Sequence, residues 1–329
     1  MRVLLVHNFY RDAGGEDTVF VNERRMLSEH GHEVEVFTRS SAEVRGPLAR
    51  ARAGLGLIFS FSTRRRLRKH IRAFRPDVVH VHNFFPLLTP SVFYACGDEG
   101  VPVVFTLHNY RILCPTSTLY FAGAEELRSL SGSTFWAINK PVYRSSRLAT
   151  LALCLMIEFH KRVGTWKHRV TRFVALTETA REVFAAAGLP SDRIAVKGNH
   201  SPFSLEHSSA PIIRRPRALY VGRLSEEKGI DCLLHAWKDL EIDLDLVGDG
   251  PMMNVAQASK SKRIRIHGRL PPADVRRLMG EASTLILPSI CHEMFPMVLL
   301  EAFSARLPVV ASRIGASRSL IENGVTGML

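Results

Sequence analysis

The sequence predicts an α/β protein built from two doubly wound parallel sheets, and three observations predict it. The chain has 329 residues, too many for one ordinary core, so two domains are expected. Apolar runs of strand length alternate with helical stretches through both halves, and they are continuous rather than alternating, as suits strands covered on both faces. A polar, Pro-bearing break at residues 201–216 separates the two sets and reads as a linker between residues 1–200 and 217–329.

In the first half, Val3 to Val6 forms a strand, followed by the Gly14-Gly15 loop and a helix-like stretch from Thr18 to His30. Val34 to Phe37, Asp77 to Val81, Val103 to Leu107, Phe173 to Leu176 and Ile194 to Val196 continue the sheet. Thr177 is placed to cap the helix between the last two. In the second half the strands are Ala218 to Val221, Leu244 to Val247, Ile264 to Ile266, Thr284 to Leu287 and Val309 to Ala311, with helical windows such as Gly229 to Asp239 and Pro296 to Ala305. Such sheets bind ligands beyond the carboxyl ends of their strands, so chemistry is expected in the loops after Val6, Leu107, Val221, Val247 and Leu287.

Composition narrows the class. Hydrophobic residues make up 46% of the chain and charged residues 23%, which is a globular profile. The five cysteines are scattered and odd in number, so neither a disulfide framework nor a zinc site is suggested and a reducing cytoplasm fits. The start, MRVLLVHNFY, reads as a first strand rather than a signal peptide, and the longest apolar run, Leu148 to Ile157, is about half of a bilayer span. Net charge is +13, and Arg45 to Arg75 holds ten Lys or Arg with no Asp or Glu. Leu55, Leu57, Ile58, Phe59 and Phe61 are interleaved with it. The segment therefore reads either as a peripheral contact with an anionic membrane surface or as an ordinary solvated face; nucleic acid is not expected as a partner.

Two loops of the second half carry the strongest signals. Gly222-Arg223-Leu224-Ser225-Glu226-Glu227-Lys228-Gly229 sets two cations five residues apart between a strand and a helix, suited to an anion; in the blander alternative, Glu226 and Glu227 simply pair with them. Cys291-His292-Glu293-Met294-Phe295-Pro296 opens a helix in which Pro296 suits the first position, leaving the amides of Met297 and Val298 as a second phosphate contact. Glu293 lies in that loop. Glu301, within an otherwise apolar helix, can accept hydrogen bonds from sugar or ribose hydroxyls, or else pair with a nearby Arg. Asp243-Leu244-Asp245 spells a metal-binding D-x-D but enters a strand, and His80 with His82 lacks carboxylate or Cys companions, so neither reads as a metal site. No G-x-G-x-x-G follows the first strand, against a nicotinamide or flavin enzyme.

The stretches G-R-L-S-E-E-K-G, V-G-D-G-P and E-M-F-P-M-V-L-L-E-A-F-S-A-R-L-P-V-V-A-S resemble the donor half of retaining glycosyltransferase family 4, of GT-B fold, over about Ala218 to Leu329. The resemblance implies two Rossmann-like domains facing a cleft, a nucleotide-sugar donor and no metal requirement. It implies that Arg223 and Lys228 neutralise the donor diphosphate, that Glu301 binds the ribose and that Glu293 faces the transferred sugar, completing an E-x7-E motif. His267 and Gly268 fall in the segment that holds the base. In the first half, Gly14-Gly15 resembles the family's glycine loop near donor phosphate and acceptor, and Thr106-Leu107-His108-Asn109 resembles its T-x-H-D motif, in which the histidine approaches the sugar; Asn109 stands where Asp is commoner.

Family members usually continue through further helices past the position of Leu329, so the chain reads as C-terminally short. The function expected is hexosyl transfer from a nucleotide sugar to a lipid-linked or cell-envelope glycan at the inner membrane face. A non-catalytic scaffold or a nucleotide-sugar epimerase remain alternatives.

Overall fold

The computed structural model describes residues 1–11, 14–46, 54, 56–200 and 214–329. Most of the expected linker, and residues 47–53 and 55 of the basic segment, lie outside these described residues. The chain divides into two compact units, residues 1–119 with 126–200 and residues 120–125 with 201–329.

In unit 1, strands β1 (Arg2–Phe9), β2 (Glu33–Ser40), β3 (Val78–Val81) and β4 (Val103–Leu107) belong to one sheet. β7 (Arg172–Ala175) and β8 (Ile194–Val196) complete it, whereas β5 (Tyr120–Phe121) and β6 (Ala124–Glu125), from the segment that belongs to unit 2, pair only with each other. The order is β2-β1-β3-β4-β7-β8, all parallel. Leu4, Leu5 and Val6 are sealed from solvent, so β1 reads as an unbroken apolar run because helices cover both faces. The Thr177 side chain accepts from the Ala180 amide and starts the helix Glu178–Ala186, the cap that the sequence predicts.

In unit 2, β9 (Arg217–Val221), β10 (Asp243–Val247), β11 (Ile264–Gly268), β12 (Thr284–Leu287), β13 (Val309–Ala311) and β14 (Gly327–Met328) form a sheet of order β11-β10-β9-β12-β13-β14, again all parallel. Two cores lie on its opposite faces. Leu219 and Val247 join one, while Ala218, Tyr220, Leu244 and Leu246 join the other, which is the period-2 signature of a strand buried on both sides. The only described part of the expected linker is already fixed to this unit. The Arg214 guanidinium donates to the carbonyls of Met279, Ala282, Ala305 and Arg306 at 3.0, 2.7, 2.8 and 2.9 Å.

Strand order also locates the sites. In each sheet the winding reverses beside the first strand, between β1 and β3 and between β9 and β12, and at such a reversal the loops diverge and leave a crevice.

Candidate functional site

At the crevice of unit 2, the loop after β9 meets the loop after β12. Glycine makes the approach possible. Gly229 has φ +71°, and a Cβ there would lie 2.0 Å from the Pro288 carbonyl oxygen; Gly248 has φ +141°, and its Cβ would lie 1.8 Å from that of Gly222. Backbone bonds tie the loops together: Gly222 N–H to Val247 O at 3.0 Å, Leu224 N–H to Asp249 O at 3.0 Å, and Ile290 N–H to Glu227 O at 3.0 Å.

This packing brings Lys228 against Glu293. The ammonium donates to Oε2 at 2.5 Å, while the Ser289 hydroxyl donates to Oε1. Burial disfavours the Lys228 ammonium, but the Glu293 carboxylate, with smaller help from Cys291 and Glu227, outweighs it and holds the lysine above its ordinary range. Sequence reasoning assigned these two side chains to different parts of the donor; here they hold each other. Neither Glu226 nor Glu227 pairs with Lys228. Arg223 is exposed, and among the described residues its guanidinium has no ion-pair partner, so it is free to meet an anion.

The helix Met297–Ser304 begins one residue later than expected. Pro296 is its N-cap, not its first residue, because its ψ of 114° is extended. The Leu299 amide is used by the Pro296 carbonyl, whereas Met297 and Val298 occupy the first two helical positions, whose amides have no partner within the helix. Glu301 is half-buried on this helix, and burial raises its pKa above the ordinary carboxylate value against the opposing pull of Arg276. His267 Nε2 meets Asp245 Oδ1 at 2.8 Å, and Gly268 accepts from the Gly248 amide at 2.8 Å. Both carboxylates of the D-x-D are engaged, Asp243 by Arg217 and Arg265 and Asp245 by Arg217 and His267.

At the crevice of unit 1, Gly15 opens the helix Gly15–Glu29 and His108 follows β4 directly. The structure joins them through a residue not singled out from sequence. Glu16 accepts from Asn83 Nδ2 at 2.8 Å and from Asn109 Nδ2 at 3.2 Å. Burial raises its pKa to about 7; Asp17 adds to this while Tyr10, Asn109 and Arg111 oppose it. Asn109 thereby acquires a reason: an aspartate here would set a second carboxylate against Glu16, and two such groups cannot both stay ionised. Glu16 was legible only as one of two acids in the first turn of a helix after a glycine loop. His108 Nε2 lies 3.1 Å from His82 Nδ1, and burial pushes the His108 pKa down to about 3, so its ring is neutral.

Two parallel, doubly wound units with crevices at their reversals define the GT-B class. Residues 13–199 match the family described as Glycosyltransferase Family 4, and residues 215–329 match Glycosyl transferases group 1. The chain belongs to glycosyltransferase family 4. It is similar to alpha-D-kanosaminyltransferase of Streptomyces kanamyceticus, with 25% identity over 83% of this chain and 68% of that protein. It is also similar to glycogen synthase of Mycobacterium tuberculosis, with 28% identity over 78% of this chain. It spans 57% of that enzyme's length. Phosphatidyl-myo-inositol mannosyltransferase of Mycobacterium leprae is 25% identical over all of this chain and 83% of its own length. Among solved structures, HepE of Anabaena in complex with UDP has the same fold, with TM-score 0.66 and 19% identity over all of this chain and 85% of its own.

Proposed function

We propose that this chain transfers a sugar, with retention of anomeric configuration, from a nucleotide-diphosphate-sugar to an acceptor, with unit 2 holding the donor. The observation that carries this reading is the pair of cations on the loop after β9, one free and one held by Glu293, at the point where the sheet reverses. Arg223, Lys228 and the amides of Met297 and Val298 would neutralise the departing diphosphate, so charge stabilisation is the main catalytic effect and no metal is required. The Lys228–Glu293 pair gives the site two states. A diphosphate that takes the ammonium releases the Glu293 carboxylate to accept hydrogen bonds from the donor sugar. Glu301 would take the ribose hydroxyls, His267 and Gly268 would border the base, and Gly15 and His108 would serve the sugar and acceptor.

Glu301→Gln keeps the size of the side chain and removes the charge. Affinity for the nucleoside diphosphate is expected to fall about tenfold, about 1.4 kcal/mol, in a calorimetric titration.

For the acceptor we favour a lipid-linked or envelope glycan reached at an anionic membrane. Phe61, 76% exposed, stands beside exposed Arg65, Arg66 and Lys69. The helix Arg147–Arg162 leaves Leu148, Leu155 and Phe159 exposed in one stripe, with Val163 beyond its end. The rest of the basic segment serves packing: Leu57, Leu67, Ile71 and Phe74 are buried, and Arg64, Arg68 and Arg72 pair with Asp98 and Glu99. No helix among the described residues is long and apolar enough to cross a membrane. The likeness to a phosphatidyl-myo-inositol mannosyltransferase and to HepE in complex with UDP supports this acceptor class and a nucleotide-sugar donor.

A thermal-shift screen with UDP-, GDP- and ADP-sugars, followed by a nucleotide-release assay, tests the proposal. Stabilisation by one donor class and acceptor-dependent release of its nucleotide are expected. Stabilisation without release would mark a binding scaffold, and release of free sugar without acceptor an epimerase-type reaction.

A further inference from the structure

His80 and His82 stand two residues apart around the end of β3, and from sequence they lacked a companion ligand. The fold supplies one. Glu23, midway along the helix Gly15–Glu29, is buried against them, and the three side chains each offer a ligand atom within 4.8 Å of the others.

The geometry suits a cation better than a hydrogen-bonded cluster. His80 Nδ1 and Glu23 Oε1 are 3.5 Å apart, long for a hydrogen bond but close to the roughly 3.3 Å edge of a tetrahedron whose nitrogen and oxygen ligands sit about 2.0–2.1 Å from zinc. The other nitrogen of His80 is taken: Nε2 meets the Thr106 hydroxyl at 2.7 Å, an outer contact of the kind that orients a ligating imidazole and leaves Nδ1 free. His82 repeats the arrangement. Its Nδ1 meets His108 Nε2 at 3.1 Å, while Nε2 is buried with no partner in a side chain only 2% exposed. An orphaned buried imidazole nitrogen is costly without a ligand. Glu23 Oε2 is held by Lys197 at 3.2 Å, which leaves Oε1 for the ion.

We infer that Glu23, His80 and His82 form a site for an imidazole-preferring divalent cation such as Zn²⁺, with a fourth position open to water or solute. Its ligands come from the first helix and the end of β3, so the ion would clamp that helix onto the sheet. Through His82 Nδ1 it would also fix the ring of His108.

The test uses the full tag-free chain, stripped with chelator and titrated with Zn²⁺ by calorimetry, with Co²⁺ as an optical probe of ligand geometry. The inference expects one equivalent bound, a higher melting temperature with zinc, and a tetrahedral-type cobalt spectrum. Glu23→Gln should weaken binding at least tenfold and abolish the zinc-dependent melting shift, and His82→Asn should do the same. Glu23→Gln is nearly isosteric and decides the matter should His82→Asn fail to fold. Absence of stoichiometric binding to the wild-type chain, or undiminished binding by folded Glu23→Gln, would overturn the inference.

Discussion

Replacing Lys228 by alanine is expected to lower kcat by 10²–10³-fold, about 2.7–4 kcal/mol, the scale found when one preorganised charge-stabilising group is removed. The effect is large because the ammonium sits in a half-buried crevice rather than in open water, where the same charge would be screened. The substitution also leaves Glu293 without its cation, so the folded variant is expected to lose stability as well. Lys228→Arg separates the two effects. It keeps the positive charge beside Glu293, restoring stability, but a planar guanidinium cannot reproduce a point charge, so turnover recovers only in part. Arg223→Ala should cost less, about tenfold, because that side chain is exposed. Steady-state rates with the donor found by screening, together with denaturant midpoints, check these expectations. Unchanged turnover in folded Lys228→Ala would remove Lys228 from the mechanism.

The second large effect is a pH dependence built around Glu16. Its folded pKa is about 7, above the ordinary 4.5, chiefly because burial disfavours the carboxylate. A raised folded pKa contributes stability that is fully present below the unfolded value and is lost as pH rises through the folded one. Glu16 therefore stabilises unit 1 below about pH 4.5 and progressively ceases to do so up to and beyond about pH 7. Linkage allows up to about 3 kcal/mol for such a shift, and partial exposure of the side chain brings the expectation to about 1–2 kcal/mol. Glu16→Gln presents one acceptor and one donor group, as protonated Glu16 does, at every pH. The stability difference between wild type and Glu16→Gln, read from urea midpoints at about pH 5 and about pH 8, should shift by that amount in favour of the variant at the higher pH. A difference that stays flat would mean that Glu16 is ionised throughout. Asn109→Asp should steepen the wild-type trend by setting a second carboxylate where the amide now donates.

How much of this was legible follows from the range of each signal. The eleven longer strands were visible as apolar runs, most sharply where burial on both faces leaves no polar residue to break them, as in Leu4-Leu5-Val6 or Leu285-Ile286-Leu287, while β2 and β11 alternate apolar with polar residues. Strands β5, β6 and β14, two residues each, are too short to carry a period. Arg223, Lys228, Glu293 and Glu301 stood out because glycines, a proline and apolar neighbours frame them locally. What joins them did not. Lys228 and Glu293 are 65 residues apart, and their pairing depends on β9 and β12 lying side by side. The same holds for Glu16 with Asn83 and Asn109, and for Glu23 with His80 and His82: in each case one partner comes from the helix after β1 and the others from strand ends that only the sheet order brings beside it. The local sequence sets no carboxylate beside His80 and His82, and only the fold brings Glu23 to them.

Hydrogen exchange of the backbone amides, with and without a nucleoside diphosphate, tests the central proposal most directly, because it reports where the diphosphate sits rather than whether catalysis follows. Protection should appear in Gly222–Gly229 and at Met297 and Val298, and diminish in Lys228→Ala. Binding that protects other segments while leaving these amides unchanged would contradict the assignment of the donor to unit 2.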